Sequence, residues 1–452
     1  MKRTIFIMIL LLLSLTGCLK ITEQDEFVAS MEQQITLPLE VSSDINLPKV
    51  MEFKGKTYDV VWTTSNGNVI DVTGKVRQLS YDSIVRLEAT VTTEKYSNTI
   101  LLEVTVMKKE IVNPFIRDHQ FVEYAKNLSD SSFNKVRLVN DRLELIEGET
   151  YGWYTSEEID ATPFTRMVGS WGALSSSNAT VELQVRVMID GSWSRYFSYR
   201  PWGLGKNNAS LNVSDSFARI SIDEIIILNS KLASKFQYRV FLDRANPTID
   251  SPKLELVAFA LTIPNHEYKP SVVDLPKFVD YDVPMLNQQA VPTIGNSICS
   301  PTSAAMLLMY KGHDFSSNDE LPHRYTAGLF RDYGANIYGN WVFNTVGMSS
   351  FSETSYVGIM YSFEELMHHL VNVGPVAASV SGDMGVYTTG GHLIVVRGYR
   401  ITDDGDIFVI VNDPNINSRF GNDGEGNPLF VYYEFPLEVF MRTWKGIVYI
   451  IN

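Results

Sequence analysis

Four prolines, Pro264, Pro270, Pro276 and Pro284, lie within one short stretch near the middle of the 452-residue chain. Proline fixes φ and lacks a backbone N–H, so prolines at this spacing prevent both a helix and a central strand. We therefore predict an extended linker over residues 264–277. A chain of this length forms more than one domain, and the linker separates a long N-terminal part from a C-terminal part of different character.

The chain begins with an apolar segment of the type that directs export. Lys2 and Arg3 precede an apolar run at residues 5–13, which is too short to span a membrane. The run leads into Leu-Thr-Gly-Cys at residues 15–18, which resembles a bacterial lipobox. The resemblance implies a lipoprotein signal peptide at residues 1–17, a lipid on Cys18 and attachment to the outer face of the cell membrane. An ordinary signal peptide followed by a chance cysteine is the alternative.

The next two segments differ in pattern. Residues 18–34 are polar and acidic, and we predict a spacer there, either extended or partly helical. Residues 35–108 alternate with period two in short pieces such as DVVWTTS and TILLEVTVM, which predicts antiparallel strands. Trp62, the following TTSNGNVIDVTGKV, and LEATVT with a closing VTV resemble bacterial immunoglobulin-like (Ig-like) domains. The resemblance implies an all-β spacer or adhesion module with Trp62 in its core.

A second all-β region follows at residues 109–263. Strand-length pieces such as ATVELQVRVMI and QYRVFLDR alternate, and turn residues separate them. This pattern predicts a β-sandwich of jelly-roll type. Its tryptophans, Trp153, Trp171, Trp193 and Trp202, either line a sugar-binding face or fill the core.

Composition narrows the range of partners. Apolar residues make up 45% of the chain and charged residues 20%, which is ordinary for globular protein. The formal net charge is −14 and there is no basic cluster, so we expect no nucleic-acid partner. The expected partners are a peptide or cell-surface substrate, the membrane through the lipid, and cell-wall glycan through the β-domains.

The C-terminal region, residues 278–452, mixes helical and strand patterns. SPTSAAMLLMY and SFEELMHHLVNVG are helical, and Ser362 and Glu365 are placed to form a capping box at the start of the second helix. Strand patterns follow in PVAASV, HLIVVRGY, DIFVIVND, LFVYYEF and GIVYIIN. Helices first and antiparallel strands afterwards predict an α+β domain.

Cys299 stands immediately before the first of these helices. Pro301 fits only the first turn of a helix, so Cys299 lies at or just before the helix N-terminus. There the free N–H groups and the helix dipole favour a thiolate. Lipidation of Cys18 would leave Cys299 without an intramolecular partner, so it is either a reactive thiol or a buried, inert cysteine.

A thiolate nucleophile requires a general base. His392 follows two glycines and opens the strand HLIVVRGY, and Asp413 lies at the end of the next strand after a hairpin at residues 403–405. Antiparallel pairing would bring the two together, so that Asp413 fixes the imidazole tautomer. The other histidines are predicted at a helix end, in a polar loop and on a solvated helix face: His313, His323, His368 and His369.

An oxyanion donor is the remaining requirement. The segment DVPMLNQQ lies upstream of the cysteine, and either Gln288 or Gln289 could supply an amide donor. The backbone N–H of Cys299 would supply the second donor.

The segments VPMLNQ, CSPTSAAMLLMY, GPVAASV, GGHLIVVRGY and VNDPN, in this order, resemble the C39-like cysteine peptidases of bacteria, which have a papain-like fold. The resemblance implies that Cys299 is the nucleophile, His392 the base and acid, Asp413 the orienting group and Gln288 the oxyanion donor. Ser300 departs from the glycine often found after this cysteine, which would narrow the approach to the site.

Other chemistries find little support. There is no Gly-rich phosphate loop and no H-E-x-x-H motif, and we predict no metal and no cofactor. The oxygen-rich loop at residues 412–427 could hold calcium, but turn residues account for it equally well.

The sequence thus predicts a membrane-anchored extracellular cysteine peptidase that cleaves a peptide amide through a thioester. One alternative is a hydrolase of peptidoglycan cross-bridges or stem peptides. The other is a surface-binding or adhesion lipoprotein whose peptidase domain is vestigial.

Overall fold

The structure is a computed structural model that describes residues 22–67, 69–78, 82–107, 118–266 and 275–452. The predicted signal peptide and Cys18 lie outside the described residues, as does most of the predicted linker. Contacts divide the chain into two compact units, one ending at Met107 and the other containing everything from residue 118 onward. Within the described residues, no helix has both the length and the apolar character needed to cross a membrane.

The first unit is a small β-domain preceded by a helix. Its sheet has the order β1-β5-β4-β3-β2, in which only the β1–β5 pair is parallel. Trp62 is buried and its indole N–H donates to the carbonyl of Pro48, so the predicted core position is confirmed. The elements are α1 (Glu23–Gln34), β1 (Glu40–Val41), β2 (Val50–Phe53), β3 (Lys56–Thr64), β4 (Ser83–Thr92) and β5 (Ser97–Val106).

The described part of the segment predicted as a spacer, residues 18–34, is helical and packs on the first unit. Thr22 and Asp25 form a capping box that starts α1, and Phe27 and Met31 are fully buried in the first unit. The polar, acidic composition hid the two large apolar residues, which lie four apart and therefore on one helix face. Helix α1 is thus part of the folded unit.

The second unit opens with the predicted β-sandwich. Its first sheet has the order β14-β13-β19-β10-β7, and its second has the order β16-β17-β18-β12-β20-β9-β8. The strands are β6 (Gln120–Tyr124), β7 (Phe133–Asn134), β8 (Val136–Val139), β9 (Arg142–Leu145), β10 (Tyr151–Thr155), β11 (Ile159–Phe164), β12 (Arg166–Leu174), β13 (Ala179–Ile189), β14 (Ser192–Trp193), β15 (Phe197–Ser198), β16 (Val213–Ser214), β17 (Ala218–Ser221), β18 (Glu224–Ile227), β19 (Ala233–Arg244) and β20 (Lys253–Thr262).

The C-terminal region has helices packed on an antiparallel sheet of order β22-β27-β23-β24-β25-β26, with β21 paired to β24. The α+β class is therefore confirmed. The elements are β21 (Phe278–Asp280), α2 (Cys299–Tyr310), α3 (Pro322–Phe330), α4 (Trp341–Ser349), β22 (Ser355–Ile359), α5 (Phe363–Asn372), β23 (Val376–Asp383), β24 (Thr388–Ile401), β25 (Ile407–Asn412), β26 (Tyr432–Pro436), α6 (Leu437–Thr443) and β27 (Trp444–Ile451).

The predicted capping box at α5 forms only in part. The hydroxyl of Ser362 accepts the backbone N–H of Glu365, as expected. The Glu365 carboxylate turns elsewhere: one oxygen accepts the N–H of Tyr361 and the other lies 2.9 Å from Nε2 of His119. His119 precedes β6 of the sandwich. Glu365, which was expected only to cap helix α5, therefore also links the C-terminal region to the sandwich.

The sandwich and the C-terminal region share one hydrophobic core, which the proline pattern does not reveal. The Ser170 hydroxyl accepts the N–H of Val357 at 3.0 Å, and the Gln120 side-chain oxygen accepts the N–H of Ile359 at 3.0 Å. These buried bonds satisfy backbone groups of β22 that its own sheet leaves unpaired. The sandwich therefore supports the C-terminal sheet as a packed layer.

Candidate active site

Cys299 is the first residue of helix α2, as the position of Pro301 predicted. The helix is buried along most of its length, so it holds the cysteine on a rigid core element. Cys299 forms no disulfide, and the residue is partly exposed. The sulfur accepts backbone N–H groups of Ser300, in the first turn, and of Leu393, in β24.

Ser300 does not narrow the approach to the sulfur, contrary to expectation. Its side chain is fully buried, and its hydroxyl lies 2.6 Å from the hydroxyl of Tyr449 in β27. The serine side chain therefore turns into the core, where a tyrosine hydroxyl satisfies its hydroxyl.

His392 lies within β24 rather than at its start, because the strand already begins at Thr388. It pairs with Val380 of β23, next to a register shift in that ladder. The imidazole is 5% exposed, and its Nε2 lies 2.8 Å from Oδ1 of Asp413. The ring also hydrogen bonds the thiol of Cys299, for which Nδ1 remains.

Asp413 directly follows β25 and is fully buried. Besides His392, its Oδ1 accepts the backbone N–H of Asn415 at 2.9 Å, and its Oδ2 accepts the hydroxyl of Tyr387 at 2.7 Å. A buried carboxylate is stable only when donors surround it, and this one has three. The structure thus brings Cys299, His392 and Asp413 into one hydrogen-bonded chain.

The electrostatics of this chain favour a charged pair. Burial acts to lower the pKa of His392, but the Asp413 carboxylate and the Cys299 sulfur outweigh it and raise the pKa to about 10. Burial likewise acts to raise the pKa of Cys299, but the charge and hydrogen bond of His392 prevail, so the pKa falls below the ordinary value of 9.0. Each group therefore stabilises the charged form of the other, and a larger fraction of this thiol is ionised at neutral pH than in an ordinary cysteine.

The two candidate oxyanion glutamines lie beside this chain. Gln288 is buried, its backbone N–H donates to the carbonyl of Pro414, and its Nε2 donates to the carbonyl of Gly295 at 2.7 Å. One amide hydrogen of Gln288 then remains for a substrate oxygen. Gln289 instead uses its Nε2 to hold Oδ1 of Asn415 at 2.9 Å.

The segment that carries the glutamines is anchored by residues that sequence reasoning missed. Nδ2 of Asn412 donates to the carbonyl of Val283 at 2.9 Å, and Arg397 pairs with Asp280 at 2.7 Å. A Cβ on Gly398 would lie 1.9 Å from the carbonyl of Val279, so only glycine allows this approach. These contacts fix the entering chain against β24 and β25.

Tyr387 is a further residue that the sequence did not indicate. Its ring meets the His392 imidazole edge-on at 5.8 Å, stacks on Phe420 at 5.3 Å, and its hydroxyl binds Asp413. The tyrosine therefore covers the imidazole and orients the carboxylate at once. An aromatic residue near a glycine turn carries no signal that would single it out in advance.

Two of the remaining histidines lie where the sequence did not place them. His323 lies not in a polar loop but buried in the first turn of α3, with Nε2 3.1 Å from the carbonyl of Asn287. His369 is not on a solvated face: it is buried in α5, and burial lowers its pKa to about 3. Nε2 of His313, after α2, lies 2.7 Å from Glu353. The contacts of His323 with Asn287 and of His313 with Glu353 do not involve Cys299 or Asp413.

The oxygen-rich loop at residues 412–427 uses its oxygens locally. Asp423 accepts the backbone N–H groups of Glu425 and Asn427 at 2.9 Å each, as turn-forming aspartates do. In the part of the chain that the structure describes, no group of three or more His, Cys, Asp or Glu side chains is arranged to hold a metal ion.

Family comparisons agree with this architecture. Residues 281–428 match the model of the Peptidase_C39 like family, residues 140–262 match a peptidase C39 N-terminal domain, and residues 21–109 match an atrophied bacterial Ig domain. The resemblance to C39-like peptidases and to bacterial Ig-like domains is thereby confirmed. The N-terminal match also includes helix α1, in keeping with its packing.

Whole-protein comparisons add less. No curated protein matches the sequence significantly. Among solved structures, a xylan-binding module, CBM86, from the gut symbiont Roseburia intestinalis has 14% identity and a TM-score of 0.20, covering 32% of this chain and 96% of that chain. TmCBM61, solved with β-1,4-galactotriose, has 12% identity and a TM-score of 0.19, covering 34% and 99%. At these TM-scores the likeness carries no conclusion about fold or function.

The ion pair predicts how thiol reactivity depends on pH. With Cys18→Ser as background, iodoacetamide should label Cys299 at pH 6.5 faster than an ordinary thiol, because a lowered pKa leaves a larger fraction of the thiol ionised there. His392→Ala removes the charge that lowers this pKa, so labelling at pH 6.5 should slow by about 10-fold or more. The labelling rate is measured by mass spectrometry between pH 5 and 10. Equal rates for the two proteins at pH 6.5 would contradict the ion pair.

Tyr387→Phe keeps the ring over His392 but removes the donor to Asp413. The carboxylate then loses one of its three hydrogen bonds and orients the imidazolium less firmly, so the imidazolium lowers the pKa of Cys299 by less. We expect the acid limb of the thiol-labelling profile to move to higher pH, while Tyr433→Phe, an aromatic position outside the site, leaves the profile unchanged. An unshifted acid limb in Tyr387→Phe would show that the hydroxyl has no positioning role.

Proposed function

We propose that this protein is an extracellular cysteine peptidase that cleaves a peptide amide through a thioester on Cys299. Its C-terminal region is a C39-like peptidase domain by family match. The observation that carries the proposal is the hydrogen-bonded chain from Cys299, a partly exposed residue, through His392 to the buried carboxylate of Asp413. A nucleophile, a base and an orienting group in this arrangement match the needs of acyl transfer.

In the first half of the reaction, the Cys299 thiolate attacks the carbonyl carbon of the substrate amide. The oxygen takes up the negative charge and accepts the N–H of Cys299 and the amide of Gln288. The tetrahedral intermediate then collapses, the C–N bond breaks, and His392 gives its proton to the departing amine. The acyl group remains on sulfur as a thioester.

In the second half, the now neutral His392 removes a proton from water, and the resulting hydroxide attacks the thioester carbonyl. The C–S bond breaks, the carboxylic acid leaves, and the thiolate–imidazolium pair is restored. Asp413 holds the imidazole in one tautomer throughout, and Tyr387 holds Asp413. The raised pKa of His392 favours its role as the acid for the amine.

The complete set of contacts argues against a vestigial domain. A site released from its chemical role has no need to bury a carboxylate under three donors or to keep an unpaired thiol at a helix N-terminus. Peptidoglycan cross-bridges or stem peptides contain the same amide bond, so they fall within the proposed substrate class.

The activity is tested with the full mature chain in a Cys18→Ser background. Wild type should release new amino termini from a mixed peptide library or from purified sacculi, and which of the two responds defines the substrate. Cys299→Ala should lose activity by at least about 1000-fold. His368→Ala, a half-buried helix position, should retain activity. Equal activity in Cys299→Ala and wild type would refute the proposal.

We propose in addition that a lipid on Cys18 anchors the protein to the outer face of the cell membrane. The support is the sequence at residues 1–18. In a bacterial host, labelled palmitate should enter the wild-type protein, and Cys18→Ala should remain unlabelled. Label that persists in Cys18→Ala would exclude this anchor.

A further inference from the structure

The first sheet of the sandwich has an outward face of unusual chemistry. Along β13 and β19 alternate residues are buried and half-buried, so one set fills the core and the other forms the surface. The surface set is joined by neighbouring residues of β10, β14 and the loop before β15. We define this outer face by Tyr151, Trp153, Glu182, Gln184, Arg186, Trp193, Tyr196, Gln237, Arg239 and Phe241.

The tryptophans predicted as either core or sugar-binding divide between these two places. Trp171 and Trp202 are fully buried in the core of the sandwich. Trp153 and Trp193 are half-buried on the outer face. The alternation of β10 and the position of β14 at the sheet edge decide this division, which composition alone could not.

The rings of the outer face are packed into fixed positions. Tyr151 stacks on Phe241 at 5.8 Å and 19°, and Trp153 lies 6.4 Å from Phe241. Tyr196 lies 3.6 Å below the guanidinium of Arg239. Aromatic surfaces held by their neighbours lose little conformational freedom on binding a ligand.

The polar side chains of the face form two hydrogen-bonded chains. Arg239 donates to Gln184 at 2.8 Å, and Gln184 donates to Glu182 at 2.7 Å. Arg186 donates to Gln237 at 2.9 Å. The face therefore presents both hydrogen-bond donors and acceptors beside its aromatic rings. A ligand rich in hydroxyl groups needs both, because each hydroxyl group donates and accepts.

The face is not buried by the rest of the second unit. The opposite sheet contacts the C-terminal region through the hydroxyl of Ser170. By contrast, the hydrogen bonds and ring contacts of the outer face described above join only residues of the sandwich. This holds for residues 118–266 and 275–452, the described part of the unit. Tyr151 remains 43% exposed.

We propose that the outer face binds an uncharged glycan chain. The C–H face of a pyranose ring is apolar and packs on an aromatic ring, while its hydroxyls lie at the edge, within reach of amides and guanidinium groups. Among the half-buried residues of β13 and β19 on this face, Met188 is the single apolar residue that is not aromatic, which disfavours a protein partner. The cations of the face are already engaged: its two arginines contact rings and amides beside Glu182, and Lys235 pairs with Asp160 at 2.9 Å. The face therefore lacks the row of free positive charges that a nucleic acid or an acidic polymer needs.

The test uses the mature full chain carrying Cys18→Ser and Cys299→Ala, which prevents turnover. Its migration is compared in native gels with and without soluble hydroxyethylcellulose, arabinoxylan or galactomannan, and its pull-down by purified sacculi is measured separately. We expect retardation by at least one polymer, or capture by sacculi. The Trp153→Ala, Tyr151→Ala pair should weaken that binding by about 10-fold or more.

Tyr333→Ala is the matched control, because Tyr333 is also 43% exposed but lies outside the outer face. It should bind as the parent does. The proposal is overturned if no glycan is bound, or if the paired substitution and the control bind alike. In the presence of an intact Cys299, the paired substitution should leave thiol labelling unchanged, so this result is independent of the proposed peptidase activity.

Discussion

The ion pair between Cys299 and His392 is the interaction on which the rest of the site depends. A thiol in water is mostly protonated at neutral pH, and a buried imidazole is normally neutral. Here each group makes the charged form of the other stable, and the buried carboxylate of Asp413 makes the pair stable as a whole. Burying the two charges of the pair costs desolvation free energy, and the Asp413 carboxylate helps to offset that cost.

The fold holds this pair by placing its members on rigid elements. Cys299 stands at the start of a buried helix, His392 lies within a strand, and Asp413 follows the adjacent strand. The entering segment is locked by Asn412 and Arg397, which brings Gln288 next to Asp413 along the backbone. The β-sandwich packs against this sheet and shares its hydrophobic core. The site therefore belongs to a larger packed unit than the sequence pattern of residues 278–452 suggests.

Much of this arrangement was predictable. Pro301 placed Cys299 at a helix start, and period-two strands around a hairpin brought His392 and Asp413 together. Tyr387 and His323 were not predictable, because their roles depend on which side chains a tertiary approach brings near them. The packing of α1 was missed because only Phe27 and Met31 reveal its buried face. The shared core was missed because hydrogen bonds such as that from Ile359 to Gln120 join positions far apart in sequence.

The most direct measurement of the central claim is the ultraviolet absorbance of the thiolate near 240 nm, followed by pH titration of the Cys18→Ser protein. The account predicts that the thiolate signal of Cys299 titrates below the ordinary thiol pKa of 9.0, and that His392→Ala moves this titration to higher pH. A signal that appears only near pH 9 in both proteins would contradict it.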